Sequence, residues 1–193
     1  GEGAYGSVHP ARLRATYEKV ALKKISRNLT TASGFKNETD ALLKIYDSGG
    51  HPNISGLRDM YEDQKYYYLI LDLVTGGEMF EHLIQYGAYS EADAARLMHE
   101  IASALAFLHG VGVVHCDLKP ENLLLSTKNR LDGTIKMVDF GCAVTLDENE
   151  SSPKQKTSTG TTAYWPPERF QENWSGATPA TDMWSVGVIL FIM

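Results

Sequence analysis

Cysteine is scarce in this 193-residue chain, in which only Cys116 and Cys142 occur. Two well-separated thiols do not make a disulfide framework, so a reducing compartment is favoured and we expect a cytoplasmic or nuclear protein. Basic charge is also in short supply, with 18 Lys and Arg against 24 Asp and Glu and a formal net charge of −6. This balance argues against nucleic acid as a partner, because phosphate binding needs a basic face.

Long apolar runs are absent as well. The longest, at positions 186–193, is too short to span a bilayer, so we expect no membrane segment. The chain opens inside a glycine-rich motif and closes inside an apolar helical pattern, and we expect both natural ends to be missing. A protein that stopped here is expected to be poorly soluble and inactive, because five apolar side chains would lack partners: Val186, Val188, Ile189, Leu190 and Phe191.

Composition and pattern predict an α+β fold of two lobes. Hydrophobic residues make up 43 % of the chain and charged residues 22 %, as in ordinary globular domains. Periodicity predicts strands at 5–14, 19–25, 54–61 and 66–74, and helices at 35–46, after Ser90 and from Thr181. The pattern changes at Gly76 and Gly77, so we expect a β-rich N-terminal lobe over 1–74 and a mainly helical C-terminal lobe over 75–193.

The helix after Ser90 carries the clearest local signals. Ser90 is a typical N-cap with Asp93 three residues on, and apolar residues then recur along one stripe. Gly110 is expected to end this helix.

The opening residues Gly1-Glu2-Gly3-Ala4-Tyr5-Gly6 form the first candidate functional motif. Glycines at this spacing let a backbone approach phosphate oxygens without interference from Cβ atoms. A plain glycine-rich hairpin explains the motif equally well. A Rossmann dinucleotide site is disfavoured because Pro10 and strand-like residues follow where a helix is needed, and no Walker-type phosphate loop occurs in the sequence.

Lys23 lies in an apolar segment, where a lysine is often a snorkelling surface residue. Glu38 follows on a predicted helix. A lysine that meets a triphosphate benefits from a carboxylate that holds its charge in place, so the two residues together are candidates for a nucleotide site.

The strongest motif is His115-Cys116-Asp117-Leu118-Lys119-Pro120-Glu121-Asn122. It places a carboxylate, a cation and an amide in one loop. Phosphoryl transfer needs a carboxylate to accept a hydroxyl proton, a cation near the transferred group and an oxygen ligand for Mg²⁺. Asp139-Phe140-Gly141 follows a predicted strand at 135–138, and this order and distance predict a second metal ligand at Asp139.

Together these motifs resemble the signature set of the protein kinase superfamily, and the resemblance covers essentially the whole chain. It implies a bilobal kinase fold and an enzyme that uses ATP and Mg²⁺. The roles it implies are as follows: Gly1, Gly3 and Gly6 cover the ATP phosphates; Lys23 binds the α- and β-phosphates and pairs with Glu38; Asp117 is the catalytic base; Lys119 neutralises the γ-phosphate; Asn122 and Asp139 hold Mg²⁺.

The resemblance also implies an adenine site and a column of side chains through both lobes. The adenine site would consist of Val8, Ala21 and Leu124 around the base, Leu71 as gatekeeper, and a hinge from Asp72 to Val74 whose backbone reads the adenine edge. The column would consist of Leu42, Leu57, His115 and Phe140.

Lys119 and Thr161 favour a serine/threonine kinase, since the resemblance implies that this threonine bonds the catalytic Asp and Lys. Residues 75–83 are most similar to the calcium/calmodulin-dependent group and its calcium-dependent relatives. Calcium or calmodulin regulation is therefore expected through parts outside this chain. Glu78 and Glu121 imply a protein substrate with basic residues upstream of the target hydroxyl, although Glu78 has ATP ribose as its alternative partner.

Two other functions remain as alternatives. A pseudokinase that acts as a scaffold or allosteric partner would usually lack Lys23, Asp117 or Asp139, and all three are present. A small-molecule kinase of similar fold is disfavoured by residues 161–168, which resemble a peptide-docking loop.

Cys116 departs from the family pattern, which has an arginine at this position to pair with a phosphate on the activation loop. No Lys or Arg lies between Asp139 and Lys154 to replace it, and the acidic residues Asp147, Glu148 and Glu150 would repel added phosphate.

We therefore expect activity to depend only weakly on phosphorylation of this loop. Replacing Ser158 and Thr159 together by Ala in the full-length protein should leave most peptide phosphorylation in place, measured with purified enzyme. A loss of roughly a hundredfold or more would contradict the expectation, because phosphate-dependent ordering of the loop would then be essential.

Overall fold

The computed structural model describes residues 2–3, 6–129, 132–146 and 159–193. It confirms the α+β architecture, with a β-sheet lobe followed by a helical lobe. In chain order the elements are β1 (Glu2–Gly3), β2 (Gly6–Arg12), β3 (Lys19–Ser26), α1 (Ala32–Asp47), β4 (Leu57–Glu62), β5 (Tyr66–Asp72), α2 (Met79–Tyr86), α3 (Glu91–Gly110), β6 (Val113–Val114), β7 (Leu123–Leu125), β8 (Ile135–Met137), β9 (Val144–Thr145) and α4 (Pro179–Ile192).

The N-terminal lobe is a five-stranded antiparallel sheet in the order β1-β2-β3-β5-β4. The central position of β3 follows from its apolar residues, of which Val20, Ala21 and Ile25 are buried. Helix α1 begins at the N-cap Thr31, whose side chain accepts a bond from the Gly34 amide. Its Phe35 ring stacks on Tyr67 of β5 at 3.8 Å between centroids, which fixes the helix on the sheet.

The C-terminal lobe is organised by α3. Ser90 caps this helix as predicted, accepting a hydrogen bond from the Asp93 amide. Its apolar stripe is fully buried at Leu97, Ile101 and Leu105. Three short 3₁₀ turns complete the lobe: Pro120–Asn122, Thr162–Tyr164 and Pro167–Phe170.

Two small antiparallel pairs bring the functional motifs together. β6 pairs with β9, and β7 pairs with β8. The segment 113–125 therefore lies beside the segment 135–145, although one motif follows the other in the sequence. One continuous core runs beneath both lobes and includes Leu42, Leu69, Leu105 and Phe140.

Several predicted boundaries were wrong. The strand expected from Ile54 begins at Leu57, because Ile54 bridges to Met137 instead. The strand expected to reach Val74 ends at Asp72. Helix α3 does end at Gly110 as predicted, and the left-handed backbone that follows its end is at Gly112, with φ of 70°.

The last helix corrects two further expectations. It begins at Pro179 rather than Thr181, because the Thr181 hydroxyl accepts a bond from the amide of the N-cap Thr178. Val186 and Ile189 were expected to lack partners, but both are buried in the main core. Leu190 and Phe191 are exposed. Within the described residues, no helix combines the length and apolarity needed to cross a membrane.

Candidate active site

The loop that carries Asp117 is held by a buried carboxylate. Asp182 of α4 is fully buried, and its two oxygens accept 2.9 Å bonds from the amides of His115 and Cys116. The Nε2 atom of His109 lies 2.9 Å from the same carboxylate. Helices α3 and α4 therefore fix the backbone directly before Asp117.

Both motif backbones adopt an uncommon conformation. Cys116 has φ of 67° and Asp139 has φ of 63°, in the left-handed region that non-glycine residues seldom occupy. Such conformations cost of order 1–3 kcal/mol each and persist only where surrounding contacts impose them. Here they occur directly before Asp117 and at Asp139 itself.

Asp117, Lys119 and Thr161 form one cluster. The Lys119 ammonium lies 3.0 Å from Asp117 Oδ2 and donates to Thr161 Oγ1 at 2.8 Å. The Thr161 amide donates to Asp117 Oδ1 at 2.7 Å. Burial by itself lowers the pKa of Lys119. The hydrogen bond to Asp117 and the negative charges of Asp117, Glu121 and Asp139 together outweigh burial and raise the pKa, so the lysine stays charged.

Gly160 allows this close approach. Its φ is 126°, and a Cβ atom at this position would lie 3.2 Å from the Cys116 carbonyl oxygen and 3.1 Å from Trp165 Nε1. A side chain here would therefore push the segment that carries Thr161 away from Asp117.

Asn122 and Asp139 are brought together by backbone pairing. The Val138 amide donates to the Asn122 carbonyl at 3.0 Å, which places Asp139 next to this loop. The Asn122 side-chain nitrogen donates to the Asp117 carbonyl at 2.8 Å, and this orients the Oδ1 atom as the available ligand.

Lys23 bridges two carboxylates. Its ammonium lies 2.6 Å from Glu38 and 2.7 Å from Asp139. The Glu38 side chain is 7 % exposed and that of Asp139 is 50 % exposed, so Asp139 is the partner open to solvent. Burial by itself lowers the pKa of Lys23, but the two carboxylates outweigh it and the pKa rises above its ordinary value.

The pKa of Asp139 shifts in the opposite direction to that of Lys23. Burial by itself raises the pKa of Asp139. The positive charge of Lys23 and the hydrogen bond that Lys23 donates, together with smaller contributions from the surroundings, outweigh burial and hold that pKa below its ordinary value. Asp139 is therefore an ionised, oxygen-donating group at neutral pH, as a metal ligand must be.

The predicted nucleotide residues come from both lobes. Val8 and Ala21 are on the neighbouring strands β2 and β3, Leu71 is on β5, and Leu124 bridges to Glu78 at the start of α2. Gly3 pairs with Gly6 in the β1–β2 hairpin, whereas Gly1 is outside the described residues. Strand pairing thus brings Ala21 opposite Leu71 and Val8 opposite Lys23, although these residues are separated in the sequence.

The hinge shows one detail that the sequence did not indicate. The Asp72 carboxylate accepts bonds from the Gly56 amide at 2.9 Å and from Arg58 Nε at 2.5 Å. Its own amide donates to the Gly56 carbonyl at 3.0 Å. The Asp72 side chain is therefore committed to anchoring the hinge beside β4, and its carbonyl accepts a bond from the Ser55 hydroxyl at 3.4 Å.

The expected column of side chains is buried throughout, at Leu42, Leu57, His115 and Phe140. The His115 and Phe140 rings lie 5.1 Å apart. His115 Nδ1 accepts from the Asp117 amide at 3.3 Å, so its Nε2 atom carries the proton and donates to the Val138 carbonyl at 3.1 Å. This ring ties the Asp117 loop to the strand before Asp139.

The cysteines are poorly suited to reaction. Burial raises the pKa of the Cys116 thiol, and burial also raises that of Cys142, so neither favours the thiolate form. Cys142 is accordingly better described as a small packed residue than as a reactive thiol.

Sequence reasoning missed Arg169. Its guanidinium donates to the carbonyl oxygens of Cys116 and Thr159, at 3.1 Å and 2.6 Å. The segment between Asp139 and Lys154 contains no basic residue, whereas Arg169 lies beyond it in the sequence and reaches Cys116 only through the fold.

The pattern that describes the protein kinase domain matches residues 1–193, and the chain belongs to the protein kinase family. It is 39 % identical to myosin light chain kinase A of Dictyostelium discoideum and 39 % identical to calcium-dependent protein kinase 4 of Plasmodium falciparum. It is 37 % identical to calcium/calmodulin-dependent protein kinase type 1B of Rattus norvegicus. Each match covers the whole chain but only 63 %, 35 % and 54 % of the respective relative.

Asp182 supplies the first structural prediction. Asp182→Ala in the full-length protein should lower the free energy of unfolding by at least about 2 kcal/mol, because each buried donor left without an acceptor costs roughly 1–3 kcal/mol. Denaturant unfolding measures the change. Asp59→Ala is the matched control, since Asp59 is exposed and bonds only to its close neighbours Met60 and Tyr61. Equal effects of the two substitutions would contradict the bracing role of Asp182.

Proposed function

We propose that the chain is the catalytic part of a serine/threonine protein kinase, which transfers the γ-phosphoryl group of ATP to a Ser or Thr hydroxyl of a protein substrate. The observation that carries this proposal is the Asp117–Lys119–Thr161 cluster. It combines a carboxylate, a cation and a hydroxyl that belong to two separate segments.

In this proposal Asp117 acts as the base. It orients the substrate hydroxyl and accepts its proton as the oxygen attacks phosphorus, and the bond to the leaving ADP oxygen breaks. Lys119 neutralises negative charge on the transferred group. Thr161 keeps both side chains in place, because it bonds the lysine through its hydroxyl and the aspartate through its amide.

The residues present fit ATP and Mg²⁺. Asp139 and Asn122 offer a carboxylate and an amide oxygen, and Mg²⁺ is commonly held by few protein oxygens together with substrate phosphates. When bound, the ion neutralises charge on the phosphates. Lys23 would then exchange its contact with the exposed Asp139 for phosphate oxygens and keep its contact with the buried Glu38.

The base of the nucleotide would lie between the lobes. Val8, Ala21 and Leu124 supply apolar contacts, with Leu71 at the back of the site. The Asp72 carbonyl and the Val74 backbone would bond the adenine edge, since the Asp72 carboxylate is held behind the hinge. The glycines Gly1, Gly3 and Gly6 would cover the phosphates.

Phosphate transfer tests this function directly. The full-length protein should transfer labelled phosphate from Mg·ATP to Ser or Thr in a pool of basic peptides. Asp139→Asn should lower the rate by at least about 100-fold, because one charged group in a preorganised site is commonly worth that much or more. Asp132→Asn is the control, as this residue is exposed and its side chain bonds, within the described part of the chain, to Asn129.

No transfer by a folded, ATP-binding wild-type protein would support the pseudokinase alternative. Phosphorylation of small molecules but not peptides would instead support a small-molecule kinase. The names of two relatives refer to calcium or calmodulin, which supports a further proposal that segments beyond this chain make the kinase calcium-responsive.

Acidic side chains beside the catalytic loop support a basic substrate preference. Burial, followed by the negative charges of Glu81 and Glu121, raises the pKa of Glu78. Three carboxylates that repel one another are a suitable site for a cation, because an arginine of the substrate would relieve their repulsion. Glu81 was not singled out in the sequence.

A positional-scanning peptide library should therefore select Arg or Lys upstream of the target residue. Glu78→Gln should raise KM for the best arginine peptide about tenfold, equivalent to roughly 1.4 kcal/mol, and Glu91→Gln at the exposed start of α3 should not. KM should also rise as the pH falls, because protonation of Glu78 begins above the ordinary carboxyl range and removes its charge. No selection for Arg or Lys would contradict the proposal.

A further inference from the structure

Arg169 is a buried cation that the proposed reaction does not use. It lies in the 3₁₀ turn Pro167–Phe170, directly after Glu168, and its exposure is only 6 %. Arginine is rarely buried to this extent unless its charge and hydrogen-bonding groups are matched by partners. The identity of those partners therefore indicates what the residue does.

The guanidinium joins two separate segments. One nitrogen, Nη1, donates to the Cys116 carbonyl at 3.1 Å, and Nη2 donates to the Thr159 carbonyl at 2.6 Å. The group also lies over the Trp165 ring, 3.8 Å from its centroid, and 5.3 Å from the centroid of Trp174. A planar fork with an aromatic surface beside it is a geometry that arginine provides and lysine does not.

The two carbonyls belong to residues close in sequence to Asp117 and Thr161, which are joined by a hydrogen bond. Cys116 directly precedes Asp117, and Thr159 is two residues before Thr161. The amide of Thr161 donates to Asp117 at 2.7 Å. Arg169 therefore ties the catalytic loop, which comprises residues 115–122, to the activation segment, whose described part begins at Thr159. The tie lies immediately beside the Asp117–Thr161 hydrogen bond.

Cys116 is thereby held on both sides of its strained backbone. Its amide donates to Asp182 at 2.9 Å, and its carbonyl accepts from Arg169. Since φ at Cys116 is 67°, the conformation that aims Asp117 requires such external contacts. Asp182 supplies one of them and Arg169 supplies the other.

We propose that Arg169 is a positioning residue that fastens the activation segment to the catalytic loop, so that this anchor is built into the chain and needs no phosphate group. Its partners are backbone carbonyls, which are present whatever the phosphorylation state of the loop. The inference rests on the proposed kinase function for its effect on rate, but the anchoring itself does not depend on catalysis.

The test compares Arg169→Met and Arg169→Lys in the full-length protein after phosphatase treatment. Arg169→Met should lower kcat for a peptide at least tenfold and leave KM for ATP within twofold, because the carbonyls and rings that Arg169 meets belong to Cys116, Thr159, Trp165 and Trp174 rather than to the nucleotide residues. Arg169→Lys should retain an intermediate kcat, since one ammonium keeps the charge but not the fork. Phosphatase treatment of the wild-type protein should lower its kcat for the peptide by less than tenfold.

Arg27 offers a matched control. Its guanidinium lies 4.2 Å from the Tyr67 centroid and pairs with Glu62, far from Asp117 in the N-terminal lobe. Arg27→Met thus removes a stacked arginine without touching the anchor, and kcat should stay within twofold of wild type.

Hydrogen exchange supplies a readout independent of catalysis. Amides in 159–165 should exchange at least tenfold faster in Arg169→Met than in wild type or Arg27→Met. Unchanged exchange in this segment, or a kcat within twofold of wild type, would overturn the proposal. If Arg169→Met does not fold, kcat and hydrogen exchange of Arg169→Lys test the proposal instead. If the wild-type protein transfers no phosphate, the kinase proposal fails separately and hydrogen exchange alone decides the role of Arg169.

Discussion

The backbone of Cys116 is the constraint on which the site depends. Asp182 accepts its amide hydrogen, Arg169 donates to its carbonyl, and the residue between these contacts has a left-handed conformation. Because Asp117 follows directly, its direction is set by contacts made by its neighbour rather than by its own side chain alone. The Asp182 carboxylate and the Arg169 guanidinium, which are both buried and lie on opposite sides of Cys116, also carry opposite charges.

Contacts between separate segments also fix the side chains around Lys23. Lys23 holds two carboxylates that come from a helix and from the strand end before Phe140. Removing one partner of a largely buried ion pair leaves an uncompensated charge, so the two lobes are coupled electrostatically as well as by packing. The more exposed Asp139 is the partner that can change its contacts, and this asymmetry suits its proposed role as a ligand of Mg²⁺.

Local chemistry explains where sequence reasoning succeeded and where it did not. Strand β3, helix α1 and the Ser90 cap follow from a short apolar run, apolar spacing and a hydroxyl that bonds an amide, all within a few residues. Ile54 was misplaced because a bridge to Met137 competes with the local pattern. Val186 and Ile189 were expected to lack partners, since the chain pattern alone could not show that the main core covers them.

By itself, the sequence determined the chemistry available to this protein: the order of lysine, glutamate, aspartate, asparagine and aspartate, and a two-lobed kinase fold to hold them. Residue type decides what a group can donate, accept or ionise, and those properties are legible at every position. Tertiary structure alone decided that Asp72 anchors the hinge with its side chain, that Glu81 joins Glu78 and Glu121, and that Arg169 meets Cys116. These contacts join residues whose separation in the chain carries no periodic signal, because they arise only when packed elements bring distant backbones within hydrogen-bonding distance.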